Sequence, residues 1–139
     1  MRYMLDTCIC TFLMCDSDRI SPDVRALFED YDNCFCISAE TVRELIVAFN
    51  NKGLVSHYWK TAEEMVNSLS DEYYIQILPL REEHMRTYAR LQLNKAMDHK
   101  DPSDHVIISH AITERIPLIS SDRKFDFYRN QGLDFIKNE

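Results

Sequence analysis

The stretch Tyr3-Met4-Leu5-Asp6-Thr7-Cys8-Ile9-Cys10 decides how this chain is read. An apolar run long enough for one short strand stops at a carboxylate, and an amphipathic stretch follows. Burying a lone charge is costly unless something pairs with it. Asp6 therefore has two explanations, a helix cap or a ligand to a cation, and the rest of the chain must distinguish them.

Working outward, five short apolar runs predict strands at 2–5, 34–37, 74–78, 117–119 and 133–136. Helix-like segments fall between them at 7–15, 21–31, 38–51, 54–70, 81–97 and 101–114. The helix at 21 opens Ser-Pro-Asp, a cap followed by Pro in the first turn. Gly53 marks the end of the helix at 38, and the next helix makes an antiparallel hairpin about Asn50-Asn51-Lys52-Gly53. Strands alternating with helices predict an α/β fold with a parallel sheet.

The 139 residues, 28% charged and 45% hydrophobic, suit one domain over 1–139 with a sizeable core. No apolar run approaches the ~20 residues of a membrane span, and no signal-peptide segment opens the chain. A cytoplasmic protein with no membrane partner is expected. The five cysteines form C-x-C pairs rather than the C-x2-4-C spacing of structural zinc sites, and predict buried free thiols. A net charge of −7 is unexpected for a nucleic-acid binder, yet it suits a nuclease whose site is made of carboxylates, or a protein with a basic partner.

In open parallel sheets, functional residues gather beyond the carboxyl ends of the strands. Asp6 ends the first strand, Glu44 lies in the helix after the second, Asp104 is in the first turn of the helix opened by Asp101-Pro102-Ser103, and Asp122 follows Ser120-Ser121. Clustered carboxylates raise one another's pKa, and a hard divalent cation relieves that repulsion. Mg²⁺ or Mn²⁺ prefers oxygen ligands and lowers the pKa of coordinated water, which suits phosphodiester hydrolysis. Each acid also has a bland explanation. Asp6, Asp101 and Asp122 suit caps, Asp104 suits the helix dipole, and Glu44 suits a solvated helix face. Their joint placement favours a cation site.

Four motifs in order, Tyr3-Met4-Leu5-Asp6-Thr7, Ile37-Ser38-Ala39-Glu40-Thr41-Val42-Arg43-Glu44-Leu45, Asp101-Pro102-Ser103-Asp104-His105 through Ile112, and Leu118-Ile119-Ser120-Ser121-Asp122-Arg123-Lys124-Phe125, resemble PIN-domain ribonucleases, especially VapC-type toxins of bacterial type II toxin–antitoxin pairs. The resemblance spans essentially the whole chain. It implies a three-layer α/β/α fold with a mostly parallel five-stranded sheet and a protruding helical hairpin. It also implies metal-dependent endonucleolytic RNA cleavage that leaves a 3′-hydroxyl and a 5′-phosphate, with transfer RNA a frequent substrate. Asp6, Glu44, Asp104 and Asp122 match the catalytic acids, and Asp6, Asp104 and Asp122 are the expected ligands of Mg²⁺ or Mn²⁺. Thr7, Asp101 and Ser121 are expected to support them. A homodimer neutralised by a cognate antitoxin is implied.

Departures from the pattern are Cys8, where relatives often have Asn, His105, where Arg is usual, and Ser120-Ser121, where Thr-Asn is common. They bear on substrate preference rather than reaction class. His105, Arg123 and Lys124 are candidate RNA contacts, with Lys100 also near the acidic site and Arg81, Arg86, Arg90 and Lys95 on a basic face of one helix. His110 reads as a hydrogen-bonded core residue. The hairpin offers Phe49, Leu54, Tyr58 and Trp59, with Val55, Met65 and Val66, as candidate antitoxin contacts.

Three alternatives stand beside this. A flap-type DNA nuclease would want more acids and a longer chain. A binding module would have no need of four acids. A phosphoacceptor receiver domain would want an acid pair where Leu5-Asp6-Thr7 supplies one acid.

Overall fold

The computed structural model describes residues 1–54 and 58–139. Strands β1 (Arg2–Leu5), β2 (Cys34–Ser38), β3 (Ile75–Leu78), β4 (Leu118–Ser120) and β5 (Phe135–Lys137) form one sheet in the order β3-β2-β1-β4-β5, with every neighbouring pair parallel. Helices α1 (Thr7–Cys15), α2 (Pro22–Glu29), α3 (Ala39–Asn50), α4 (Ala62–Asp71), α5 (Glu82–Arg90) and α6 (Pro102–Glu114) connect them, with 3₁₀ segments at Ser17–Arg19 and Arg123–Gln131.

Both faces of the sheet are covered, so its strands read as apolar runs rather than as alternating patterns. Tyr3, Leu5, Ile37 and Ile119 face one core with α1 to α4 through Ile9, Val24, Leu45 and Met65. Met4, Cys36 and Leu118 face the other, with Ile107 and Ile108 of α6 and Phe125 and Tyr128 of the 3₁₀ segment. The three-layer α/β/α arrangement follows from this division.

Helix starts obey local chemistry. Ser21 Oγ accepts from Val24 N above Pro22, Ser38 Oγ accepts from Glu40 N, and Asp101 Oδ1 accepts from Ser103 N and Asp104 N. At the end of α3 the left-handed residue is Lys52 (φ 59°), while Gly53 N bonds back to Ala48 O. That is a Schellman closure, and a Cβ on Gly53 would sit 3.3 Å from the Ala48 oxygen.

Three expectations need correction. The helix expected over 54–70 begins at Ala62, since Leu54 and Tyr58 to Lys60 are not helical and 55–57, with Val55, lie outside the described residues. The helix expected to reach Met97 stops at Arg90. Gln131 pairs with both backbone groups of Gln92, and the Tyr128 hydroxyl takes Asn94 N, so hydrogen bonds from elsewhere in the fold hold this segment out of the helix. All five cysteines are free, but only Cys10 and Cys36 are buried. Cys34 shares a face with Cys36 yet starts its strand at the exposed end of the sheet. No helix among the described residues is long and apolar enough to cross a membrane.

Two positions on α3 test the layer assignment. Leu45 is fully buried and Val47 is 46% exposed. Leu45→Ala is expected to cost about 2–5 kcal/mol in urea denaturation, and Val47→Ala to stay within about 0.5 kcal/mol.

Candidate active site

The strand order reverses between β1 and β4, and the crevice beyond their carboxyl ends is where open sheets of this kind bind ligands. An open cleft of about 440 Å³ lies there, lined by Asp6, Thr7, Cys8, Glu44, Asp101, Asp104, Ser121 and Asp122. Asp6 follows β1, Glu44 projects from the second turn of α3, Asp104 from the first turn of α6, and Asp122 follows β4.

Each acid is held by local bonds that leave other oxygen lone pairs free. Asp6 caps α1, its Oδ1 accepting from Ile9 N at 2.9 Å, while Oδ2 accepts from Ser120 Oγ at 2.5 Å. The same Ser120 oxygen accepts from Asp122 N at 3.0 Å. Asp122 in turn caps the 3₁₀ segment by accepting from Lys124 N. The Thr7 hydroxyl donates to Glu44 Oε1 at 2.5 Å. Asp104 Oδ2 lies 2.9 Å from His99 Nε2. Capping and cation binding are therefore compatible, because a carboxylate has about four lone-pair sites and a cap occupies one.

The charges are not balanced by the protein. Among the described residues, no Lys or Arg forms an ion pair with Asp6, Glu44, Asp104 or Asp122, whose one ion-pair partner is His99 on Asp104. Burial raises the Asp6 carboxyl to about 7, against the lowering effect of the Ser120 and Ile9 bonds, and Asp104 and Asp122 push it further up. Burial likewise raises Glu44 against its Thr7 bond, and raises Asp104 against its His99 bond. The Cys8 thiol, exposed overall but partly enclosed by the cleft, is pushed up to about 11, first by the lost hydration and then by Asp6, so without an ion its sulfur is a thiol. An uncompensated set of carboxylates without a thiolate fits a hard divalent cation. Asp6, Asp104 and Asp122 all line the cleft that such an ion would enter.

Supporting residues behave unequally. Thr7 orients Glu44, and Asp101 caps α6 while lining the cleft. Ser121 lines the cleft, but its oxygen accepts from Asn138, and the residue that orients Asp6 is Ser120. The β1–β4 register decides between them: Leu5 pairs with Ile119, so the next residues along, Asp6 and Ser120, are neighbours. His99, absent from the sequence-based set, is buried against Asp104. On the α3 side, Arg43 bridges Glu40 and Ser103, tying α3 to α6.

Two residues expected from sequence at the surface are buried. His105, expected at the RNA surface, is buried, with Nε2 on the His99 carbonyl. Trp59 is not an exposed antitoxin contact, being 8% exposed within the first core. Phe49 and Leu54 are half-buried against that core, and Tyr58 is exposed. Arg123 is exposed and Lys124 half-buried beside Asp122. The basic face on α5 is partly neutralised, since Arg86 pairs with Glu82, and Lys100 nearby pairs with Asp98. His110 lies in the core with Nδ1 on Ser38 Oγ.

A second group, Glu83, His84 and Glu114, also brings donor atoms within 4.8 Å of one another. His84 Nδ1 accepts from Arg81 N at 2.8 Å, which places the ring proton on Nε2, where it faces Glu114 at 3.1 Å. That nitrogen is a donor to Glu114 and offers no lone pair to an ion.

The Asp6 carboxyl sets a pH dependence. Its folded-state pKa of about 7 lies above the ordinary 3.8, so its contribution to stability is full below about pH 4 and is lost as pH rises to 7. At about 1.4 kcal/mol per pH unit, the loss is roughly 4 kcal/mol. His110 works in the opposite sense, since burial and neighbouring His84 hold it down to about 4. The difference between wild type and Asp6→Asn isolates the Asp6 contribution. In cation-free buffer, the stability advantage of the Asn variant is expected to grow from about pH 4 to pH 7.5 by up to roughly 4 kcal/mol. Saturating Mg²⁺ is expected to stabilise the wild type more at the higher pH. Urea denaturation with and without Mg²⁺ measures both.

The sequence matches the family described as PIN domain over residues 3–131. No curated protein matches it. The fold is similar to solved structures over nearly the full length of both chains. The VapBC2 complex of Rickettsia felis, bound to a fragment of its promoter DNA, superposes with a TM-score of 0.72 at 21% identity, covering 100% of each chain. VapBC-1 of nontypeable Haemophilus influenzae gives 0.69 at 24% identity, covering 99% of this chain and 98% of that one. VapBC-5 of Mycobacterium tuberculosis gives 0.60 at 21% identity, covering 98% of each. With the family match running from β1 through the 3₁₀ segment that follows Asp122, this chain belongs to the PIN-domain family.

Proposed function

We propose that the chain is a Mg²⁺- or Mn²⁺-dependent endoribonuclease, acting as the toxin of a toxin–antitoxin pair. The observation that carries this is the convergence of Asp6, Glu44, Asp104 and Asp122 on one cleft, with no Lys or Arg among the described residues in an ion pair with any of them. The family match and the likeness to VapBC complexes support it. A cytoplasmic homodimer neutralised by a cognate antitoxin belongs to the same proposal.

Asp6, Asp104 and Asp122 would hold the cation, which would supply a Lewis acid at the phosphate and an acidified water. Ser120 fixes the direction of Asp6 and the backbone of Asp122 together. Glu44, its carboxyl raised by burial and its rotamer fixed by Thr7, is suited to accept a proton from the attacking water. Arg123 and Lys124, on the rim beside Asp122, bind flanking phosphates without reading sequence. Attack by water at phosphorus, with the 3′-oxygen leaving, gives a 3′-hydroxyl and a 5′-phosphate.

The test is cleavage of labelled total RNA and transfer RNA by purified, antitoxin-free protein with Mg²⁺, with Mn²⁺ and with chelator. Discrete fragments are expected with either cation and none with chelator. Asp6→Asn keeps the cap on Ile9 and removes the charge. It is expected to slow cleavage by at least about 100-fold while remaining folded at pH 7. Folded wild-type protein that cuts no RNA under any condition would shift the assignment to a PIN-like binding module. Arg123→Ala and Lys124→Ala are each expected to weaken RNA binding across sequences and to reduce the salt slope by about one, read by filter binding at several salt concentrations.

A further inference from the structure

Behind Asp104 lies a chain of polar groups with no access to solvent. Asn94 N donates to Tyr128 Oη at 3.1 Å, Oη lies 2.9 Å from His99 Nδ1, and His99 Nε2 lies 2.9 Å from Asp104 Oδ2. Tyr128 is fully buried and His99 is 3% exposed. The phenol accepts from Asn94, so its single proton needs an acceptor, and among the described residues His99 Nδ1 is the acceptor in hydrogen-bond reach. A lone pair on Nδ1 places the ring proton on Nε2, which then donates to the Asp104 carboxylate. The other tautomer strands a buried phenolic proton and sets two acceptors against each other across the 2.9 Å separating His99 Nε2 from Asp104 Oδ2. A doubly protonated ring strands the same phenolic proton. One proton assignment satisfies every group.

This assignment matters because His99, Asp104 and Asp122 bring donor atoms within 4.8 Å of one another. An ion held by the two aspartates has an imidazole nitrogen within reach. Imidazole suits Zn²⁺, Cu²⁺ and Ni²⁺, whereas carboxylate and water suit Mg²⁺ and Mn²⁺. We propose that Tyr128 determines which cation the site takes. Its hydroxyl locks His99 as an Nε2–H donor, which orients Asp104 and withholds the imidazole from the ion, so the site stays an all-oxygen one that disfavours Zn²⁺. His99 and Tyr128 are positioning residues, acting through Asp104. The proposal rests on the cation site described under Proposed function.

The experiment uses the full chain labelled with ¹⁵N-histidine. Nitrogen shifts of the His99 ring in the cation-free protein report its tautomer, and calorimetric titration with Mg²⁺, Mn²⁺ and Zn²⁺ reports affinity without reference to RNA. In the wild type, His99 is expected as the Nε2–H tautomer. Tyr128→Phe keeps the ring and removes the donor, and is expected to raise Zn²⁺ affinity by about 10-fold or more while lowering Mg²⁺ affinity. His99→Gln places an amide N–H near the Nε2 position, and is expected to keep Mg²⁺ affinity within about threefold. His99→Leu removes the donor and is expected to lower Mg²⁺ affinity by about 10–100-fold. The double variant Tyr128→Phe with His99→Gln has no imidazole here and is expected to lose the Zn²⁺ gain, which excludes binding at the exposed thiols. An Nδ1–H tautomer in the wild type, or unchanged cation preference in Tyr128→Phe, overturns the proposal. Wild-type protein with the Nε2–H tautomer that binds no divalent cation instead overturns the nuclease assignment, and the selectivity role falls with it. RNA cleavage with unchanged preference in Tyr128→Phe leaves the nuclease assignment standing and rejects this proposal alone.

Discussion

The site depends on the parallel pairing of β1 with β4. These strands are separated by more than a hundred residues, and Leu5 must lie opposite Ile119 for Asp6 to meet Ser120. A slip of one residue would turn each side chain of β4 to the other face of the sheet. Here that would bring Leu118 and Ile119 into the wrong cores and remove Ser120 from Asp6. Both cores therefore enforce the register that assembles the cleft. The apolar packing of Leu5, Ile119, Met4 and Leu118 fixes where the carboxylates stand.

Those carboxylates work against the fold that holds them. Asp6 has the least solvent, and burial is the largest influence on its proton affinity. Neutral hydrogen bonds from Ser120 and Ile9 only partly offset the lost hydration. A nearby Lys or Arg would remove the penalty and would also occupy the position a cation needs. The absence of such a pair among the described residues fits a site whose compensating charge comes from outside the chain. The penalty is also the source of affinity, because an ion entering the cleft relieves repulsion as well as gaining ligands. Arg43, the strongly paired cation near the cleft, is committed to Glu40 and Ser103 on the α3–α6 seam.

Much of this was legible in the sequence, and what was not has physical causes. The five strands and the four acids were visible because short apolar runs and capping residues are local signals. Trp59 was read as part of a projecting helix over 54–70, and its place in the first core shows only through partners distant in sequence. The end of the helix at Arg90 was hidden because it depends on Gln131 and Tyr128, which lie some 40 residues away in sequence. The burial of His105 and the contact of His99 with Asp104 were hidden for the same reason. Proximity in sequence to Asp104 favoured His105, but on α6 that residue points into the second core. His99 reaches the carboxylate because the non-helical segment after α5 folds back beneath it. Ser120 and Ser121 could be told apart only through the β1–β4 register.

The cleft contains the means to bind the wrong metal. Cys8 lines it, and His99 stands within ligand distance of two aspartates. Thiolate and imidazole nitrogen both outcompete carboxylate for zinc-like ions, so a hard-cation site must keep each from ligating. The two are silenced differently. In the cation-free cleft, ionisation of the partly enclosed Cys8 thiol is opposed first by lost hydration and then by the acids, since a negative field opposes thiolate formation. A neutral imidazole is not silenced by that field, because it can ligate without gaining a negative charge. It has to be silenced by a proton on the facing nitrogen, and that proton stays there only while the opposite nitrogen has a donor to satisfy. The buried Tyr128 hydroxyl is that donor, and the backbone N–H of Asn94 commits it to the role. The hard character of the site is thus set two bonds behind the carboxylates, by a phenol that never touches the ion.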